Sequence, residues 1–216
     1  MKTCITIPSS ALKAAELFTS KDALRYVLNG VLLEITSEKE AILVATEGRM
    51  LFAIRLTIPE IAGFEKPLQV ILPSTLTRKV RAGKDRELVV GVDMDGSKNP
   101  RVSIQDPVDG FEYGCAPIDG IYPAWRSVVP KGKHTVPTTI PCFNTEYAAM
   151  FSKAAFLLGL GKAESKHITL RQVCPEAPYL VEIGPNWGTH DVLGVIRPVR
   201  NERKGDLETP SWAIQE

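Results

Sequence analysis

Apolar and polar positions along this chain change period in a fixed order, and the order recurs three times. Cys4-Ile-Thr-Ile7 alternates with period two, the mark of a half-buried strand. Pro8-Ser9-Ser10 then offers a helix start, with Ser as the capping residue, before a helical pattern over 11–18. Strand patterns follow near 27–36, 41–46 and 50–58. A second copy opens with Leu68-Gln-Val-Ile-Leu72, turns at Pro73-Ser74 into a predicted helix reaching about Ala82, and continues as strands near 87–92, 101–105 and 111–117. A third opens at 139–143, with Asn144 as the expected N-cap. Tyr147, Met150, Phe151, Ala154 and Leu158 then recur on one helical face. Its strands are expected at 167–173, 179–183 and 191–197. Strand, helix and three strands, in that order, define an α+β chain of repeated units.

Turn chemistry separates the units. Asp93 to Pro100 reads as a polar hairpin loop, as does Gly184-Pro-Asn-Trp-Gly188. Residues 121–134 read as a linker between a two-unit domain over 1–120 and a half-domain over 135–200. The charged, aperiodic stretch 201–216 is expected to be a mobile tail.

Composition narrows the chemistry. With 44% hydrophobic residues in 216, a sizeable core is expected, and the net charge of +1 carries no global field for nucleic acid. Any contact with DNA must come from local clusters. There is no secretory signal pattern and no apolar run near the ~20 residues that span a bilayer, so the expectation is a cytoplasmic chain without membrane contact. Cys4, Cys115, Cys142 and Cys174 lie far apart without C-x-x-C spacing and read as reduced thiols. His134, His167 and His190 share no ligand spacing. The nearest approach to a phosphate loop, Leu158-Gly-Leu-Gly-Lys162, has Phe156 where its first glycine belongs and Ala163 after the lysine. Neither an enzyme nor a bound cofactor or metal is expected.

Five short stretches carry more than their composition. They are Arg25-Tyr-Val-Leu-Asn-Gly-Val-Leu-Leu-Glu34, Ala45-Thr-Glu-Gly-Arg-Met-Leu51, Asp119-Gly-Ile-Tyr-Pro-Ala-Trp-Arg126, Phe143-Asn-Thr-Glu-Tyr147 and Val195-Ile-Arg-Pro-Val-Arg200. In this order and spacing, across about residues 1–200, they resemble the bacterial DNA polymerase III β sliding clamp: its middle domain and the second half of its third. The family's Ala-Thr-Asp-Gly-His-Arg-Leu stretch has histidine and arginine where this chain has Arg49 and Met50. Its closing Val-Val-Met-Pro-Met-Arg stands here as Val195-Ile-Arg-Pro-Val-Arg200. An arginine usual before the valine of the Tyr-Arg-Arg-Val run is Ser127.

The resemblance implies a clamp fold, with sheets outside and helices facing a central hole. It implies an apolar pocket gripping short peptides of a replicative polymerase or other clamp-binding proteins. By motif matching its walls would be Leu28, Thr46, Gly48, Met50, Leu51, Pro123, Val128, Asn144, Tyr147, Val181, Val195, Ile196, Pro198 and Val199. Replacement of the family's arginines by Met50 and Ser127 implies a less cationic pocket mouth. The helices would hold DNA by its backbone, without reading bases, through Lys13, Lys21 and Arg25, through Arg78, Lys79, Arg81 and Lys84, and through Lys153 and Lys162. Leu76 and Val80 would face the sheet. Family rings hold twelve such units, so three per chain implies a homo-oligomer. A non-encircling adaptor that captures clamp-binding peptides is the alternative.

Overall fold

The computed structural model describes residues 2–83, 85–94, 99–132, 142–161, 164–173, 177–183 and 191–199. Its strands are β1 (Thr3–Pro8), β2 (Gly30–Ser37), β3 (Glu40–Thr46), β4 (Met50–Thr57), β5 (Leu68–Pro73), β6 (Glu87–Asp93), β7 (Arg101–Asp106), β8 (Phe111–Cys115), β9 (Ile168–Arg171), β10 (Tyr179–Ile183) and β11 (Val192–Ile196). The helices are α1 (Ser9–Glu16), α2 (Ser74–Thr77) and α3 (Thr145–Leu157). The expected α+β class and element order hold. The expected loop over 184–188, the tail, Lys84, Lys162, His134, His190 and Cys174 lie outside the described residues, as does most of the expected strand over 139–143.

The strands do not stay with their own units. β1 leaves the first and pairs with β6, giving a four-stranded sheet in the order β1-β6-β7-β8. β5 pairs back onto β2. At the other side β4 pairs with β11, so one sheet runs β5-β2-β3-β4-β11-β10-β9 through the expected linker boundary. All pairings are antiparallel.

Local chemistry explains where elements depart from the sequence expectation. The strand expected from residue 27 begins at Gly30, because 23–28 winds into a 3-10 turn capped by Asp22, which accepts the Leu24 N–H at 2.9 Å. Ser9 and Ser10 do not cap α1, which starts at Ser9 after Pro8. The Ser9 hydroxyl instead accepts the Gly83 N–H at 3.1 Å, tying α1 to the turn after α2. The helix expected to reach Ala82 ends at Thr77 and tightens into i−3 hydrogen bonds at Lys79 and Val80 (both 3.2 Å). Ser74, Thr75 and Thr77 are weak helix formers, so a short turn suffices to bury Leu76 and Val80. Asn144 does cap α3, accepting the Glu146 N–H at 2.9 Å.

One core joins everything. Phe18, at the end of α1, stacks on Phe52 of β4 with ring centroids 4.9 Å apart, and meets Phe151 of α3 at 4.8 Å. All three are fully buried. Gly194 on β11 makes room for this. A Cβ there would lie 2.8 Å from the Phe151 ring, so only glycine lets α3 sit this close to the sheet. The other sheet face buries a second cluster, Leu28, Leu32, Val44, Leu51, Ala53, Ile71, Tyr122 and Val195.

The four-stranded sheet is closed at one end by a charged knot. Asp106 is fully buried and accepts the Arg86 Nε–H at 2.6 Å and the Val108 and Asp109 N–H groups at 3.0 and 3.3 Å. Burial alone would push its carboxyl up. The Arg86 guanidinium and the two N–H groups outweigh that and hold it below the ordinary value of 3.8. A depressed folded pKa contributes stability that is present above 3.8 and lost as pH falls through the lower folded value. Asp106→Asn is therefore expected to be less stable than the parent in urea at about pH 7, with the gap closing as the pH falls below 3.8. A gap that stayed constant over that range would contradict this reading.

Candidate functional site

The β4–β11 seam ends in a groove. Residues 119–130 leave β8, cross the outer face of the sheet and form its far wall. Buried Tyr122 anchors that segment in the second cluster. Glu34 of β2 pins the rest. Its carboxylate accepts the Trp125 indole N–H at 3.3 Å and the Arg126 guanidinium at 2.9 and 3.0 Å, and takes the Gln69 amide at 3.1 Å. Arg126 in turn lies over the Trp125 ring at 4.2 Å. Between this wall and the seam lies a space of about 570 Å³, large enough for a few peptide side chains.

Of the expected pocket residues, Leu28, Thr46, Gly48, Met50, Leu51, Pro123, Val128 and Val195 line this groove. The remaining six do not. Val181 and Ile196 lie on the helix side of the sheet, buried in the core with Phe151. Side chains alternate along a strand, so with Val195 on the groove side its neighbour Ile196 turns to the helix side; Met50 packs in that same helix-side core but, at the start of β4, also lines the groove. Asn144 serves as the α3 cap, and Tyr147 packs partly against the helix-side core. Pro198 and Val199 lie past β11, where Val199 bridges to Cys142. Ser127, expected at the pocket mouth, also lines it, and residues not foreseen complete the lining: Arg49, Ala124, Trp125, Val129, Pro130, Ala177, Pro178 and Arg197. The period-two rule points to Arg197, two residues beyond Val195; nothing local points to Ala177 or Pro178.

The turn at the groove mouth is held by short-range bonds. Thr46 donates its hydroxyl to the Met50 carbonyl at 2.7 Å and accepts the Gly48 N–H at 3.0 Å. The Glu47 carboxylate accepts the Arg49 and Met50 N–H groups at 2.7 and 3.1 Å. Gly48 has φ +101°, a region that strains other residues. Arg25, expected on the DNA face, instead reaches this turn: it pairs with Asp22 and donates to the Glu47 carbonyl at 3.1 Å. Two guanidinium side chains line the groove mouth. Arg49 and Arg197 stand at it, and Arg49 lies 3.4 Å from the Tyr147 hydroxyl.

On the opposite face, α1 packs between α2 and α3. Exposed Lys21, Arg78, Lys79, Arg81 and Lys153 lie on these helices or at their ends. Their charge is partly answered within the chain. Glu16 pairs with Lys13 and lies 3.7 Å from Arg78, while Lys79 sits over the Tyr113 ring at 4.5 Å.

No protein-family model and no curated protein matches the chain. Solved structures do. A Pseudomonas aeruginosa DNA polymerase sliding clamp superposes with a TM-score of 0.66 at 16% identity, covering 92% of this chain and 66% of its own. The fold is that of a sliding clamp. A Bacillus subtilis sliding clamp gives a TM-score of 0.65 at 16% identity, with 92% and 64% covered. A Helicobacter pylori β clamp bound to a DNA ligase peptide gives 0.62 at 16%, with 92% and 65% covered. The chain thus spans about two thirds of the length of the clamps it matches, at 66% in the first comparison. Among its described residues no helix is long and apolar enough to cross a membrane.

Proposed function

We propose that this clamp-fold chain is a binding protein without chemistry of its own, whose groove captures short apolar-anchored peptides of replication proteins. The observation that carries this is the groove itself. Leu28, Leu51 and Val195 make an apolar floor, and the facing wall of Pro123, Trp125 and Val128 is held by the Glu34 carboxylate. A preformed cleft of this kind needs little reordering on binding. The peptide-bound Helicobacter pylori clamp has the same fold. Affinity of order micromolar, about −8 kcal/mol, suits partners that must exchange. The test is an anisotropy titration of a fluorescent peptide with Leu and Phe anchors against the full chain. Saturable binding near that range supports the proposal; none up to about 1 mM overturns it.

Tethering a polymerase to DNA is the finer part of the proposal. It rests on the exposed cations of the helix face, of which Arg81 has no carboxylate partner among the described residues. It would also require self-association. In support, β8 is a sheet edge that carries neither a neighbouring strand nor an isolated bridge among the described residues, whereas the edges β1 and β5 are bridged at Ala62 and Ile118. The division into a two-unit domain over 1–120 and a half-domain over 135–200 belongs to the same proposal. One observation favours the non-encircling adaptor instead: Glu16 offsets part of the charge of Lys13 and Arg78 in the middle of the helix face. Retention on nicked circular DNA that is lost on linearisation would identify tethering, and its absence beside intact peptide binding would identify the adaptor.

A further inference from the structure

We infer that Arg49 and Arg197 act as a carboxylate-reading pair at the groove mouth, so that the captured segment carries an Asp or Glu beside its apolar anchors. This rests on the reading of the groove as a peptide site. The β4–β11 ladder ends at the Met50–Ile196 pair, and the next rung is Arg49 opposite Arg197, joined by the Arg197 N–H donating to the Arg49 carbonyl at 2.8 Å. Both residues are exposed and both line the groove. Like charges facing each other across an antiparallel pair destabilise it. Here they sit at the end of the seam that closes the groove floor.

Among the described residues, nothing nearby offsets both charges. The Tyr147 hydroxyl and, to a lesser degree, Glu47 favour the charged form of Arg49, yet Glu47 forms no ion pair with it; its Oε1 is engaged by backbone N–H groups. The Tyr147 hydroxyl gives Arg49 a neutral acceptor only. Two further cations near this end are already matched, Arg25 by Asp22 at 3.0 Å and Arg126 by Glu34 at 2.9 Å. Among the described residues Arg197 has no carboxylate partner, so two guanidinium groups face one carboxylate that pairs with neither. A carboxylate entering with a ligand would accept from both forks, and charge-assisted bonds of that kind are about twice as strong as neutral ones.

The experiment compares two fluorescent octapeptides against the full chain. Each carries Leu and Phe anchors; one has Asp beside them, the other Asn. The Asp peptide is expected to bind about tenfold tighter, the size of one charge-assisted bond at a partly exposed site. The preference is expected to shrink at about 1 M salt, where the Debye length falls to about 3 Å, and to fall towards one in the Arg49→Gln, Arg197→Met double variant. Equal binding of both peptides by the parent, or a preference that survives the double substitution, overturns the charge selection and leaves the groove reading standing. Failure of both peptides to bind the parent overturns the groove reading itself.

Discussion

Phe151→Ala is expected to lower folding stability by about 3–5 kcal/mol, the range for removing a fully buried phenyl ring. The ring is fully buried, meets Phe18 at 4.8 Å, and fills the space left by the missing side chain of Gly194. It therefore links α1, α3 and β11 at once. Its loss leaves a void that neither a strand in a ladder nor a helix seated on it can collapse to fill. Hydrogen exchange should localise the effect: β10 and β11 lose protection ahead of β6 and β7, whose sheet shares no hydrogen bonds with them. Phe151→Leu keeps most of the volume and is expected to cost about 1–2 kcal/mol. Urea unfolding measures both. A loss below about 1 kcal/mol for the alanine variant would mean that the half-domain packs without this contact.

The second large effect is on binding. Trp125→Ala is expected to weaken the Leu/Phe peptide by about thirtyfold, equivalent to about 2 kcal/mol, as for a buried aromatic anchor in an interface. Trp125 faces the groove, and its indole N–H and ring are both engaged, by Glu34 at 3.3 Å and by Arg126 at 4.2 Å. Truncation removes contact area and also frees the wall it belongs to. Trp125→Phe separates the two contributions. It keeps the ring and the stacking but loses the bond to Glu34, and should stay within about threefold of the parent. Trp125 is only half buried, so circular dichroism and the unfolding midpoint should change little in either variant. Unchanged peptide binding by Trp125→Ala would remove this wall from the site.

Much of the local structure was legible in the chain. Period-two runs located β3, β4, β5, β6, β7 and β10 to within a residue or so, because each is an antiparallel strand with distinct faces. Asn144 marked the start of α3 for the reason any short polar side chain does: it satisfies a free N–H. The same rule failed at Ser9, whose hydroxyl found a partner from a distant turn. Pocket residues read by motif alone fell on both faces of one strand. Val195 and Ile196 cannot share a face, and strand periodicity, applied to the site as it was to the elements, would have replaced Ile196 with Arg197.

The sequence by itself determined the order and type of the elements, the apolar face of each, and through five short packing stretches the likeness to a sliding clamp. Those are properties of neighbours along the chain, fixed by side-chain period, turn residues and caps. Only the tertiary structure decided that β4 joins β11, that Gly194 makes room for Phe151, that Glu34 pins Trp125, and that Arg49 faces Arg197. Any two strand edges offer equivalent backbone donors and acceptors. Which edges meet is set by the simultaneous burial of both sheet faces, a condition no local stretch of sequence contains.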